Sequence, residues 1–199
     1  MPTWHKISLR KEDVERCWTF SEIIIIGRNQ YDRMMKRGLS ASDKLSYRIK
    51  RTFVGKVGEM AFYRFLEERN IRPGNLDAMF AIYEGETNVD KFDFQTAEGA
   101  TVDVKAAVFS NHRRLLVPED QFFSMPKNFY VGTKLDIPAT IGDYGISFTK
   151  DCVKDVYICG FATRAELLHC PTTNPGEFPC KGLPLKDLND IDKLLAMFQ

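Results

Sequence analysis

Asp93-Phe94-Gln95-Thr96-Ala97-Glu98-Gly99-Ala100-Thr101-Val102-Asp103-Val104-Lys105 reads as a β-hairpin. Phe92, Phe94 and Thr96 alternate with polar neighbours, Glu98-Gly99 supplies the turn, and alternation resumes from Thr101 to Ala107. Side chains on a strand repeat every two residues, so Asp103 and Lys105 share one face while Val102, Val104 and Ala106 take the other. Asp93, at the start of the incoming strand, falls close to Asp103 across the pair. Two carboxylates and an ammonium thus converge at one end of a small sheet. Carboxylate oxygens suit a hard cation such as Mg²⁺, and a lysine beside it can hold or activate a water.

Outward from the hairpin, residues 53–70 carry an amphipathic helical stripe of Val54, Val57, Ala61, Phe62, Phe65 and Leu66. Gly55, Gly58 and Ala61 leave room for this helix to approach a sheet closely, and Glu59 sits at the edge of the stripe. Lys11-Glu12-Asp13 opens an earlier helix over 11–37 that Gly38 closes, and Ser40 or Ser42 caps a second. Ala78–Tyr83 is expected as a strand, after a Pro73-Gly74 loop and before a polar turn at Glu84–Asn88. Downstream, 129–135 and 156–161 read as buried strands, separated by a turn-rich excursion over 136–151. Thr163-x-x-Glu166 is a capping box for a short helix. Residues 117–127 are expected as a loop and 170–184 as irregular. Asp187 is expected to cap a final helix.

Asp93 followed ten residues on by Asp103-Val104-Lys105 resembles the PD-(D/E)xK nuclease motif, with Phe92 standing where the family's proline usually does. No other Asp/Glu-x-Lys triplet occurs in the chain. The resemblance covers roughly residues 53–165 and implies a restriction-endonuclease-like α/β core. Such a core has a mixed sheet of about five strands flanked by helices, here with a helical N-terminal extension. At 199 residues the chain reads as one domain, divided into a basic helical region (1–52), the nuclease-like core (53–165) and a tail with a C-terminal helix (166–199).

The resemblance also implies a catalytic set of Asp93, Asp103, Lys105 and Glu59. Asp93, Asp103 and the Val104 carbonyl would hold Mg²⁺, with Mn²⁺ as a substitute, and Glu59 would complete the shell through water or help to hold a second ion. The implied activity is Mg²⁺-dependent hydrolysis of DNA phosphodiester bonds by a restriction-type endonuclease. A repair, recombination or phage nuclease, or a non-cleaving DNA-binding module on the same fold, is the alternative.

Charge distribution bears on the partner. Arg28 to Lys56 contains nine basic and two acidic residues, a net +7 that leaves the rest of the chain at −6. Such asymmetry suits a polyanion-binding face, because phosphate neutralisation supplies most non-specific affinity for DNA. Lys44, Arg48, Lys50, Arg51 and Lys56 are the DNA-contact candidates there, joined by Arg113 and Arg114 after the hairpin. A homodimer is expected if the substrate is a palindromic site.

The opening Met-Pro-Thr-Trp-His-Lys has no signal-peptide pattern, and Ile23–Ile26, the longest aliphatic run, is too short to span a bilayer. Five cysteines, odd in number and without a CxxC pair, suggest free thiols in a reducing cytoplasm. His169, Cys170 and Cys180 lack a fourth ligand and zinc-site spacing.

Overall fold

The computed structural model describes residues 2–28, 41–82, 93–108, 110–142, 145–175 and 178–199. In chain order its strands are β1 (His5–Ser8), β2 (Phe94–Gln95), β3 (Thr101–Ala107), β4 (Arg114–Pro118) and β5 (Phe129–Leu135). They continue with β6 (Thr140–Gly142), β7 (Gly145–Ser147), β8 (Asp155–Thr163) and β9 (Cys180–Pro184). The helices are α1 (Lys11–Arg28), α2 (Ala41–Glu67), α3 (Glu119–Ser124), α4 (Arg164–His169) and α5 (Ile191–Leu195). The protein is α/β: a mixed five-stranded sheet in the order β1-β8-β5-β3-β2, flanked by helices. Only the β3–β5 pair is parallel among these neighbours. No helix among the described residues is long and apolar enough to cross a membrane.

Both sheet faces are covered, which explains why Tyr130 to Thr133 of β5 are all buried instead of alternating. On one face α2 lays Phe53, Val57, Ala61, Phe62 and Phe65 against the strands, and all five are fully buried. Gly58 permits that contact. A Cβ there would stand 2.7 Å from Thr133 Oγ1 and 2.9 Å from the Ala106 Cβ, so any side chain would lift the helix. On the other face, β4 pairs with β9, and this small sheet closes a second core with α3 and α4 around Leu115, Phe122, Tyr130 and Leu167.

The C-terminal segment is keyed into the central sheet. Gly132 and Gly160 face each other across β5 and β8, beside a register shift. Gly160 has φ +134°, and a Cβ there would lie 2.4 Å from the Asn189 carbonyl oxygen. Asn189 exchanges two backbone hydrogen bonds with Phe161 (3.0 and 2.8 Å), and the Leu188 side chain lies against both glycines. Ile191 and Leu194 of α5 are fully buried in the main core.

Several expectations are corrected by this architecture. The 52/53 division falls inside α2, a single helix of 27 residues. The N-terminal region also supplies β1, an edge strand of the main sheet, so it is no purely helical extension. Ala78–Phe80 forms a 3₁₀ turn instead of a strand. Residues 117–127 contain the end of β4 and α3, because Pro118 sits before the first helical turn where it costs no hydrogen bond. β9 occupies the end of the 170–184 segment, and the 136–151 excursion holds the β6–β7 hairpin. The final helix is capped by Asp190, which accepts from the Asp192 N–H, and not by Asp187. The capping box at Thr163 and Glu166 forms in both directions. None of the five cysteines is in a disulfide. Met34, Met35, Gly38, Ser40, Glu84–Asn88 and Phe92 lie outside the described residues.

Candidate active site

The hairpin places its two aspartates side by side. Phe94 pairs with Val102, so Asp93 falls level with Asp103 just where β2 begins. Its backbone N–H donates to the Val102 carbonyl (3.1 Å), and its Oδ2 accepts from the Val104 N–H (2.6 Å). The side chain thus takes over from the main chain of β2 as the acceptor along β3. N–H and C=O of one strand residue point to the same side, so the Val104 carbonyl also faces the Asp93 edge.

On the face away from α2, Lys105 forms an ion pair with Asp103 (2.7 Å) and a long hydrogen bond to Gln121 Oε1 of α3 (3.4 Å). On the α2 side, Glu59 is partly buried and pairs with Lys56 at 2.5 Å. Lys56 is itself buried: it donates to the Met79 carbonyl (3.0 Å), and its ammonium lies 4.8 Å from the Phe20 ring centre and 5.8 Å from that of Phe80.

The electrostatics tie these groups together. Burial, then the Glu59 and Asp103 carboxylates, push Asp93 well above the usual carboxylate range, against the opposing pull of Lys105 and the Val104 N–H. Burial alone would lower Lys105, but Asp103, Asp93 and Glu59 outweigh it and raise the ammonium above its ordinary value. Asp93 therefore sits in the field of two further carboxylates, which make it harder to ionise. That donor set fits a hard divalent cation, which would relieve the repulsion.

The DNA-contact candidates separate. Arg48 and Lys56 are buried, 8 % and 6 % exposed, so neither lies on a solvated phosphate-binding face. A count of charges along the chain cannot see that α2 turns these two inward. Lys44, Lys50 and Arg51 remain partly exposed; Lys50 donates to the Ile146 carbonyl (3.0 Å) and Arg51 to the Tyr47 hydroxyl (2.9 Å). Arg113 is exposed in the loop, whereas Arg114 opens β4 and donates to the Gly182 carbonyl (2.9 Å). Arg33, Lys36 and Arg37 lie outside the described residues.

Sequence reasoning missed Gln121, Lys127 and Tyr130. Tyr130 pairs with Asp103 across the parallel β3–β5 ladder. Parallel pairing of the 101–107 and 129–135 runs was the signal that would have brought this segment to the site.

A second acidic group lies at the opposite edge. His5, Asp190 and Asp192 have ligand atoms within 4.8 Å of one another, the one such cluster among the described residues. Arg69 Nη2 lies 3.1 Å from His5 Nδ1. Arginine can only donate, so Nδ1 carries the lone pair and the neutral ring's proton sits on Nε2. Nε2 faces Asp192 Oδ1 at 3.8 Å and points a proton, not a lone pair, at the carboxylates. That tautomer disqualifies it as a metal ligand. No protein-family model, curated protein or solved structure matches the chain.

Proposed function

We propose that the chain is a metal-dependent DNA endonuclease of PD-(D/E)xK type, with a restriction-endonuclease-like core. One observation carries the reading. Asp93 and Asp103 stand level at the hairpin edge with Glu59 in the same field, and burial, then that company, pushes Asp93 above the carboxylate range. Carboxylates gathered at such cost call for a cation.

In this reading Asp93, Asp103 and the Val104 carbonyl hold Mg²⁺ or Mn²⁺, and Glu59 supports the shell. The bound cation would polarise the phosphate and acidify water. Lys105, held by Asp103 and Gln121, orients the attacking water and favours loss of its proton. The water oxygen bonds to phosphorus as the bond to the 3′ oxygen breaks, and that oxygen takes up a proton. The products carry 5′-phosphate and 3′-hydroxyl ends. Lys44, Lys50, Arg51, Arg113 and Arg114 are the remaining candidates for contact with backbone phosphates.

Restriction, repair, recombination and phage roles share this chemistry. A non-cleaving DNA-binding module is favoured by a different observation. Asp103 is already paired with Lys105, and Glu59 with Lys56, so the charges also balance as a structural network.

Purified protein incubated with supercoiled, linear and single-stranded DNA in Mg²⁺, with EDTA and Lys105→Ala controls, separates these readings. Discrete fragments that require Mg²⁺ and Lys105 are expected from a sequence-specific enzyme. A smear with the same requirements moves the role to repair or phage metabolism. Salt-sensitive binding without any cleavage would establish the module and overturn the nuclease.

A further inference from the structure

The segment from Gln121 to Asn128 forms a wall over the Asp103/Lys105 face and is fixed at both ends. At one end Phe122 is fully buried, with its ring centre 5.9 Å from that of Tyr130, while Gln121 reaches Lys105. At the other, Asn128 clasps the first residue of β3. Its Oδ1 accepts from the Thr101 N–H (2.8 Å) and hydroxyl (2.9 Å), and its N–H donates to the Thr101 carbonyl (3.1 Å). The Asn128 carbonyl in turn accepts from the Arg164 N–H (2.9 Å).

Lys127 sits beside that clasp. Its backbone N–H donates to the Tyr130 hydroxyl (3.1 Å), and Tyr130 is the cross-strand neighbour of Asp103. Its ammonium donates to the Met125 carbonyl (2.7 Å), a neutral acceptor. Among the described residues no carboxylate pairs with it, in contrast to Lys105 on Asp103 and Lys56 on Glu59. Burial holds Lys127 below the ordinary lysine range; Asp103 and Asp93 pull against that and Lys105 adds to it, so Lys127 feels the same field as the site. A partly buried ammonium with only a neutral partner gains most from an anion brought by the substrate.

Resting on the nuclease reading, we propose that Lys127 is a substrate-contacting residue of this site. Its ammonium binds a non-bridging oxygen of the scissile phosphodiester and neutralises the charge that builds there as water attacks. The proton balance of the hydrolysis is unchanged, because Lys127 stays an ammonium throughout. The Asn128–Thr101 clasp and the Tyr130 hydroxyl fix the Lys127 backbone beside β3, and the Met125 carbonyl holds the ammonium, so the phosphate contact is positioned before chemistry begins.

The test compares wild type, Lys127→Met, Lys127→Arg and Lys105→Met by single-turnover cleavage in Mg²⁺ and by duplex DNA binding in Ca²⁺ across a salt series. Lys127→Gln, which keeps a donor for the Met125 carbonyl, serves if Lys127→Met is poorly folded. Loss of Lys127 is expected to slow cleavage about 10²–10³-fold and to reduce the salt slope of binding by about one. Lys127→Arg should restore the slope. If Lys127→Met cleaves within about threefold of wild type with an unchanged slope while Lys105→Met is inactive, the nuclease reading stands and the Lys127 proposal falls. If wild type never cleaves but the slope still drops in Lys127→Met, the nuclease reading falls and the phosphate contact survives in a binding module. A wild type that never cleaves and a slope that does not move overturn both.

Discussion

Two corners of the sheet gather carboxylates, and they differ in what holds them there. At the β1 edge, His5, Asp190 and Asp192 bring ligand atoms within 4.8 Å of one another. Yet the Asp192 side chain is 63 % exposed, Asp190 is committed to capping α5, and His5 is fixed by Arg69. Water screens what little repulsion remains. At the β2 edge, Asp93, Asp103 and Glu59 are partly buried, and burial together with the Glu59 and Asp103 carboxylates raises the affinity of Asp93 for protons. Distance favours the first corner and energetics the second. A cation relieves repulsion only where repulsion is being held, so the cost of keeping oxygens charged is a better guide than their spacing.

The largest expected effect tests that contrast directly. On the nuclease proposal, Lys105→Met should slow Mg²⁺-dependent cleavage by about 10²–10⁴-fold, while Asp192→Asn leaves the single-turnover rate nearly unchanged. Equal losses in the two variants would move the chemistry to the β1 corner. Next is Gly58→Val, which forces methyl groups into Thr133 and Ala106. Overpacking there should cost about 1–3 kcal/mol, read as a lower urea midpoint, and should weaken Mg²⁺ binding in calorimetry because Glu59 moves with the helix. An unchanged midpoint would mean that α2 does not press on the sheet as described.

Asp93 sharpens the comparison through pH. Its folded-state pKa is raised, so between the unfolded value of about 3.9 and the folded one the native state binds the extra proton. The contribution of Asp93 to the stability of the metal-free protein therefore falls as pH rises through that window. Urea titrations from pH 4 to pH 8 should show the fall in wild type and a flatter profile in Asp93→Asn. Mg²⁺ binding by wild type at a pH inside that window should release protons, seen as a buffer-dependent heat. Parallel stability profiles in the two proteins would count against the buried acidic cluster. The smallest effect belongs to the exposed corner: Asp192→Asn should change stability by no more than about 0.5 kcal/mol.

Much of the site was legible because it is local. Alternation and Glu98-Gly99 gave the hairpin, period two put Asp103 beside Lys105, and Thr163/Glu166 announced their helix. What escaped notice depends on pairs far apart in the chain. Lys56 reads as one more cation in a basic run until Phe20 and Phe80 arrive from other elements to enclose it. β1 has four residues and no alternation long enough to stand out, and only its partner β8 makes it a strand. α3 hides between Pro118 and Pro126, residues that ordinarily punctuate loops, and with it went Gln121 and the approach to Lys127.

The paired glycines of β5 and β8 carry a consequence for biosynthesis. β1 emerges from the ribosome long before β8: His5 must wait for Ile158, roughly 8–30 seconds at ordinary elongation rates. Even then the hollow at Gly132 and Gly160 stays open until Leu188 and Asn189 are made. Until β8 is made, β1 and the β8-facing edge of β5 are unpaired on a nascent chain. The β2–β3 hairpin can form early, but the sheet that steadies it closes late. Newly made chains should therefore lean on chaperones more than a protein of this size ordinarily does, and slower growth at lower temperature should raise the yield of soluble product.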